Sequence, residues 1–192
     1  VRIAILGASG NAGRAVARML RAHTPHDLLL LGRNPDRLER ALSEVRRTAC
    51  VLPGGAASAT VGHALLPASA PSGLTPALRG QDVLIVAAPL SGDVAPWVRA
   101  TLDADCDWYD LTLSVPGKWA ALRALEPRAS ERGRSLVTDG GVHPGLPGML
   151  VRLAASRIHV RRVWVAMRFG VAWSDLRVSR ETVVEFAGEI AR

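Results

Sequence analysis

A strand that stops on glycine and opens directly into a helix constrains this chain more than any other feature. It is the stretch "RIAILGASGNAGRAVARML", in which Gly7, Gly10 and Gly13 stand three residues apart. The first glycine permits a tight turn, the second lets the backbone approach a pyrophosphate, and the third lets helix and strand close on each other. The helix that follows presents unpaired N–H groups and the positive end of its dipole. The spacing is GxxGxxG, a variant of the common GxGxxG, and the competing reading is a tight corner that holds no ligand. The turn nominates Gly7, Ala8, Ser9, Gly10, Asn11, Ala12 and Gly13 as a phosphate-binding segment.

Downstream, apolar runs alternate with helical patterns, which predicts strand–helix–strand units around a parallel sheet. "DLLLLG" reads as a second strand and "NPDRLERALSEV" as a second helix, with Asn34 as its cap and Pro35 in its first turn. The first helix, Asn11 to Ala22, is expected to bury Ala15, Val16, Met19 and Leu20 on one face. Residues 49–76 are rich in Ala, Ser, Gly and Pro, and only a loosely placed strand at "TVGHALL" is read there. "DVLIVAAP", a helix over 92–102, "DWYDL", a helix over 117–132, "RSLVTDGG" and a helix over 145–156 complete the alternation. From there "HVRRVWVAMRFG" reads as a half-exposed strand and "SRETVVEFAGEIAR" as an amphipathic helix. The expected architecture is α/β: a doubly wound parallel sheet (a Rossmann fold) over residues 1–145, with the beginning of a second α+β domain over 146–192.

Composition narrows the function classes. A net charge of +7 suggests nucleic acid, but the 24 basic residues include one lysine, Lys118, and the arginines are scattered without aromatic interleaving. No nucleic-acid partner is expected. No apolar stretch approaches the length of a membrane span and no leader precedes the first strand, so no membrane partner and a cytoplasmic setting are expected. Cys50 and Cys106 lie far apart, which argues against a disulfide framework. His23, His26, His63 and His159 show no ligand spacing, and no metal is expected.

The adenine ribose of a dinucleotide is normally read at the end of the second strand. There the chain has "LGRNPDR": Gly32, Arg33 and Asn34, with no Asp or Glu for a free 2′-hydroxyl. Arg33 suits a bidentate pair with a 2′-phosphate. NADP is therefore the expected cofactor, with NAD as the alternative and a solvated loop arginine as the plain reading of Arg33. Small Ala87 and Ala88, then Pro89, stand where the cofactor would cross the carboxyl edge of the sheet; ordinary tight packing explains them equally well.

One reductase mechanism is excluded by inventory. Short-chain dehydrogenases need Tyr and Lys four apart on a helix, whereas the single tyrosine, Tyr109, and the single lysine, Lys118, are nine apart. The strings "GASGNAGR", "LGRNPDRL", "DVLIVAAP", "DWYDLT" and "VTDGGVHPGLPGMLVRLAA" together resemble the saccharopine dehydrogenase-like NAD(P)-binding proteins over residues 1–157. The resemblance implies a nicotinamide-dependent oxidoreductase, often acting on amino-acid-derived or imine-type substrates. It also implies that "DGGVHPGLPG" carries the chain into a second domain that shapes the substrate site. Family members run well beyond this length, and the chain begins on its first strand without Met, so a fragment is expected. They also often place an acidic residue after the third strand, where this chain has "LLPASAPSG".

His143 and Asp139, in the turn after a strand, are the candidate proton-handling pair. Their alternative is structural, Asp139 capping the turn and His143 packing before Pro144. Asp110 reads as a turn-former, and Lys118 and Ser114 as candidate substrate contacts. Trp97, Trp108 and Trp119 fall on the side of the expected cleft and Trp164 and Trp173 beyond it, all read as packing or subunit contact. An exposed strand around Val163–Met167 would favour a homodimer. The first functional expectation is an NADP-dependent oxidoreductase passing hydride to or from a small carbonyl or imine substrate. The second is a non-catalytic NADP-binding sensor, and the third a partner-binding module without cofactor.

Overall fold

The structure, a computed structural model, describes residues 1–52, 59–66, 71–90, 92–112, 116–141, 145–164, 166 and 183. The chain runs β1 (Arg2–Leu6), α1 (Asn11–His23), β2 (Asp27–Gly32), α2 (Pro35–Arg47), β3 (Val61–Leu65), α3 (Leu74–Leu78), β4 (Val83–Val86), α4 (Ala95–Asp103), β5 (Asp107–Asp110), α5 (Pro116–Glu131), β6 (Leu136–Val137) and α6 (Gly145–Ala155). The six strands form one sheet in the order β3-β2-β1-β4-β5-β6, every pair parallel. After β3 the chain crosses back over the sheet to pair β4 with β1. The carboxyl ends of β1 and β4 are therefore the switch point, where a crevice opens in doubly wound sheets.

Strand alternation divides the core in two. Ile3, Ile5, Leu28 and Leu30 pack on one face against Ala17 of α1 and Leu38, Leu42 and Val45 of α2. Ala4, Leu6, Leu84, Val86 and Trp108 pack on the other against Val98 and Leu102 of α4 and Leu122 and Leu125 of α5. Burial on both faces is why the strands read as continuous apolar runs.

Three expectations are corrected. The buried face of α1 is Gly13 and Ala17, with Val16 and Leu20 partly covered, while Met19 is 63% exposed and Ala15 faces solvent. The helix is rotated because Gly13 has to sit against the glycine turn at Gly7 and Ala8. The illegible stretch conceals a 3₁₀ turn at Pro71–Gly73 leading into α3, whose Leu74 and Leu78 are fully buried. A single helical turn is too short for periodicity to reveal. Residues 159–164 are not a strand; Trp164 is 86% exposed there. The helix expected over 179–192 lies almost wholly outside the described residues. No described helix is long and apolar enough to cross a membrane.

Both cysteines are free. Burial, reinforced by the Asp107 carboxylate, pushes the Cys106 thiol up to about 12, so it stays protonated and unreactive at neutral pH. A thiol reagent at pH 8 is expected to label Cys50 in the native protein and Cys106 only after unfolding. Equal labelling rates at the two positions would contradict this.

Candidate dinucleotide site

The glycine turn hangs on the neighbouring strand: Gly7 N–H and Ala8 N–H both donate to the Leu31 carbonyl, at 3.0 and 3.2 Å. Gly7 has φ +85°, the left-handed region that favours glycine. A Cβ on Gly7 would lie 2.6 Å from the Ala88 Cβ and 3.0 Å from the Ala87 carbonyl carbon. Small Ala87 and Ala88 thus touch the turn itself and keep β1 and β4 close at the crevice. A Cβ on Gly13 would lie 2.3 Å from the Gly7 carbonyl oxygen and 2.8 Å from the Ala8 Cα, so the first turn of α1 lies directly on the loop. Gly10 is the extended N-cap of α1, and no side chain caps the helix there. The first turn of α1 therefore stands beside the carboxyl end of β1, and a helix N-terminus so placed is suited to receive a phosphate.

Around this turn Ala8 is buried, Ser9 is partly covered, and Asn11 and Ala12 are exposed, with the Arg14 guanidinium 3.4 Å from the Asn11 amide oxygen. Pro89 is exposed on the rim beyond Ala88. Arg33 and Asn34 are exposed at the end of β2, and the Asn34 side chain accepts from Arg37 N–H at 2.9 Å, capping α2 as its sequence predicts. Sequence reasoning missed Arg37. Its guanidinium approaches the Ser9 carbonyl oxygen at 3.5 Å, which brings it to the glycine turn. The available signal was weaker: a second basic residue in the first turn of the helix that follows β2.

Beyond β4 lies a cavity of about 340 Å³, large enough for a small ligand. Val86, Leu90, Val94 and Trp108 supply its apolar wall, and Asp93, Asp110, Thr112 and Lys118 its polar one. Asp110 is the last residue of β5 and is 1% exposed; Lys118 in α5 is 7% exposed, and the two form an ion pair at 3.0 Å. Asp110 Oδ1 also accepts from Thr112 N–H (2.9 Å) and Thr112 Oγ1 (2.7 Å), and Oδ2 accepts from Trp108 Nε1 (3.3 Å) and Thr138 Oγ1 (3.1 Å). Lys118 donates its remaining protons to the Thr112 carbonyl and Oγ1 at 2.9 and 3.0 Å. Five donors saturate the carboxylate and three acceptors saturate the ammonium. Neither group has a hydrogen-bonding position left over; the pair joins β5, the turn just after β6 and the first turn of α5.

The candidate pair fares differently. Asp139 lies in the turn after β6 with φ +56°, a conformation Asp tolerates better than most residues. His143 and Ser114 lie outside the described residues. The turn itself is closely packed: a Cβ on Gly140 would lie 2.4 Å from the Tyr109 ring, and one on Gly141 would lie 2.7 Å from the Leu111 carbonyl oxygen. Tyr109 donates its hydroxyl to the Gly140 carbonyl at 3.2 Å. It faces the opposite side of the sheet from Trp108 and Asp110, and hence from Lys118. Trp119 is 45% exposed beneath the Arg123 guanidinium, 5.6 Å from the ring centre, and Trp97 packs on the core. Among the described residues, no three His, Cys, Asp or Glu side chains cluster as metal ligands would.

Comparison with known proteins follows the same lines. No curated protein sequence matches the chain. Among solved structures, saccharopine dehydrogenase (L-Glu forming) from Saccharomyces cerevisiae superposes with a TM-score of 0.62 at 20% identity, over 82% of this chain and 31% of that one. Pen from Bacillus thuringiensis gives 0.54 at 10% identity, over 80% of this chain and 55% of its own. A β-ketoacyl-[ACP] reductase from Bacteroides thetaiotaomicron gives 0.51 at 14%, over 80% and 90%. These likenesses are of fold, and the chain spans about a third of the yeast enzyme's length. The model of the saccharopine dehydrogenase NADP-binding domain matches residues 3–137, which takes in the glycine turn, Arg33, Arg37 and all of the sheet except Arg2. The chain therefore belongs to the saccharopine dehydrogenase family, through that family's NADP-binding domain.

Proposed function

We propose that the chain binds NADP along the carboxyl edge of its sheet and serves an oxidoreductase whose substrate is a small carbonyl or imine compound. The observation that carries the reading is the contact of Gly13 with Gly7 and Ala8, which holds the uncapped N-terminus of α1 against the crevice between β1 and β4. In this reading the N–H groups of Ala12 and Gly13 at the start of α1 receive the pyrophosphate, with Ser9 and Asn11 at the rim and the Gly10 N–H held by the Gly7 carbonyl at 2.9 Å. Arg33, with Asn34 beside it, meets the adenosine 2′-phosphate. Ala87, Ala88 and Pro89 border the path toward the cavity beside Asp110. Bound there, the nicotinamide supplies the hydride chemistry. Asp139, in the turn after β6, and His143, which lies outside the described residues, are the proton-handling candidates.

Residues 1–145 form the cofactor domain in this proposal, and 146–192 begin a second domain. The exposed Leu146, Met149, Leu150 and Leu153 of α6 support a further surface, from this chain or a second copy, as the cover of that helix. A homodimer in the reducing cytoplasm is the corresponding expectation.

Titration with NADP and NAD tests the cofactor assignment: NADP is expected to bind more tightly. Arg33→Ala is expected to weaken NADP by about tenfold, the loss of one charge-assisted hydrogen bond, and to leave NAD unchanged. Tighter binding of NAD in the native protein would contradict the assignment. The saturation of Asp110 favours one second reading, a sensor that binds NADP without turnover. Loss of NADPH absorbance with a panel of keto acids and amines separates the two; binding without consumption across the panel would leave the sensor.

A further inference from the structure

Arg37 stands on the first turn of α2 and is held at both ends. Asn34 accepts its backbone N–H at 2.9 Å, and its Nη2 lies 3.5 Å from the Ser9 carbonyl oxygen, 28 residues away in sequence. That contact brings the guanidinium to the glycine turn. Both arginines are exposed, but Arg33 makes no side-chain hydrogen bond to another described residue, so no contact presets its direction as the Ser9 carbonyl does for Arg37.

The strand end between them is shaped by what it lacks. Gly32, the last residue of β2, is buried, and a Cβ there would lie 3.2 Å from Leu38 Cδ1 and 3.6 Å from Ser9 Oγ. The space between the turn and α2 is tight for any side chain at this position, so a ribose-reading carboxylate would fit poorly here. A guanidinium carries five N–H donors in a planar fork, and the Ser9 carbonyl occupies at most one of them. The rest remain for an anion beside the turn.

We propose that Arg37, preset by the Ser9 carbonyl, is the principal discriminator between a 2′-phosphorylated and an unphosphorylated adenosine ribose, with Arg33 closing from the solvent side. The proposal rests on the NADP reading above and adds a residue and an order of importance to it. It also makes the glycine turn and the ribose pocket one unit, because the same guanidinium touches both. A ligand carrying the 2′-phosphate meets a donor fork already aimed, at a smaller cost in side-chain ordering than Arg33 would incur.

The test is a calorimetric titration of the full-length protein with NADP, NAD, 2′,5′-ADP and 5′-AMP, for the native sequence and for Arg37→Ala, Arg37→Lys and Arg33→Ala. Arg37→Ala is expected to weaken NADP and 2′,5′-ADP by about 10- to 100-fold, and NAD and 5′-AMP by less than about twofold. Arg37→Lys is expected to recover only part of the loss, since it keeps the charge but not the fork. Arg33→Ala is expected to lose less than Arg37→Ala. Parallel loss of NADP and NAD in Arg37→Ala would overturn the proposal by making the residue a support for the turn alone. Unchanged selectivity would overturn it as well. A native protein that does not prefer NADP would instead overturn the underlying cofactor reading.

Discussion

Replacing Lys118 with methionine is expected to destabilise the fold by about 3–5 kcal/mol, read as a lower midpoint in urea at unchanged slope. Methionine keeps much of the stem volume, so the loss comes from Asp110, a carboxylate 1% exposed that would keep its hydrogen bonds but lose its counter-charge. Removing one partner of a buried pair costs far more than the pair itself contributes. The double variant Asp110→Asn, Lys118→Met is therefore expected to be more stable than Lys118→Met alone, although it lacks both charges. A loss below about 1 kcal/mol for the single variant, the range of an exposed pair, would contradict the arrangement. The pair ties the carboxyl end of β5 to α5 and, through Thr138, to the strand beside it, all next to the cavity.

Gly13→Ala is expected to have the largest effect on binding. The added methyl group would sit 2.3 Å from the Gly7 carbonyl oxygen and 2.8 Å from the Ala8 Cα, and both neighbours are backbone. Neither can rotate away, so α1 must lift off the turn, at about 1–3 kcal/mol for an overpacked site. The helix N-terminus then no longer faces the crevice at the same height, and NADP affinity is expected to fall by at least about tenfold. Gly148→Ala, in α6 and away from the cavity, is the control. A Cβ there meets nothing within 4 Å, and the exchange is expected to be neutral or to stabilise α6 by about 0.5–1 kcal/mol. Equal NADP affinity in Gly13→Ala and the native protein would remove the turn from the binding site.

Legibility followed the physics of each element. The strands were plain because burial on both faces leaves only apolar residues to choose from, as in "RIAIL" and "DLLLL". The second helix was plain because Asn34, Pro35 and Asp36 are start signals that act locally. The buried face of α1 was misjudged because helical periodicity allowed Met19 as readily as Gly13, and only contact with the turn decides which rotates inward. The short α3 was invisible, since Leu74 and Leu78 acquire meaning only from the core they fill.

The chemistry divides the same way. The sequence alone determined the fold class, the glycine turn, the cap of α2 and an arginine where an acid would read a free ribose hydroxyl. Each of these depends on backbone conformation or on neighbours within a few residues, and local sequence encodes both. Only the tertiary structure decided that Asp110 and Lys118 saturate each other, that Ala87 and Ala88 press on Gly7, and that Arg37 reaches Ser9. Those contacts join residues 8 to 81 positions apart, and their partners are chosen by strand order and helix rotation, which no short stretch of the chain specifies.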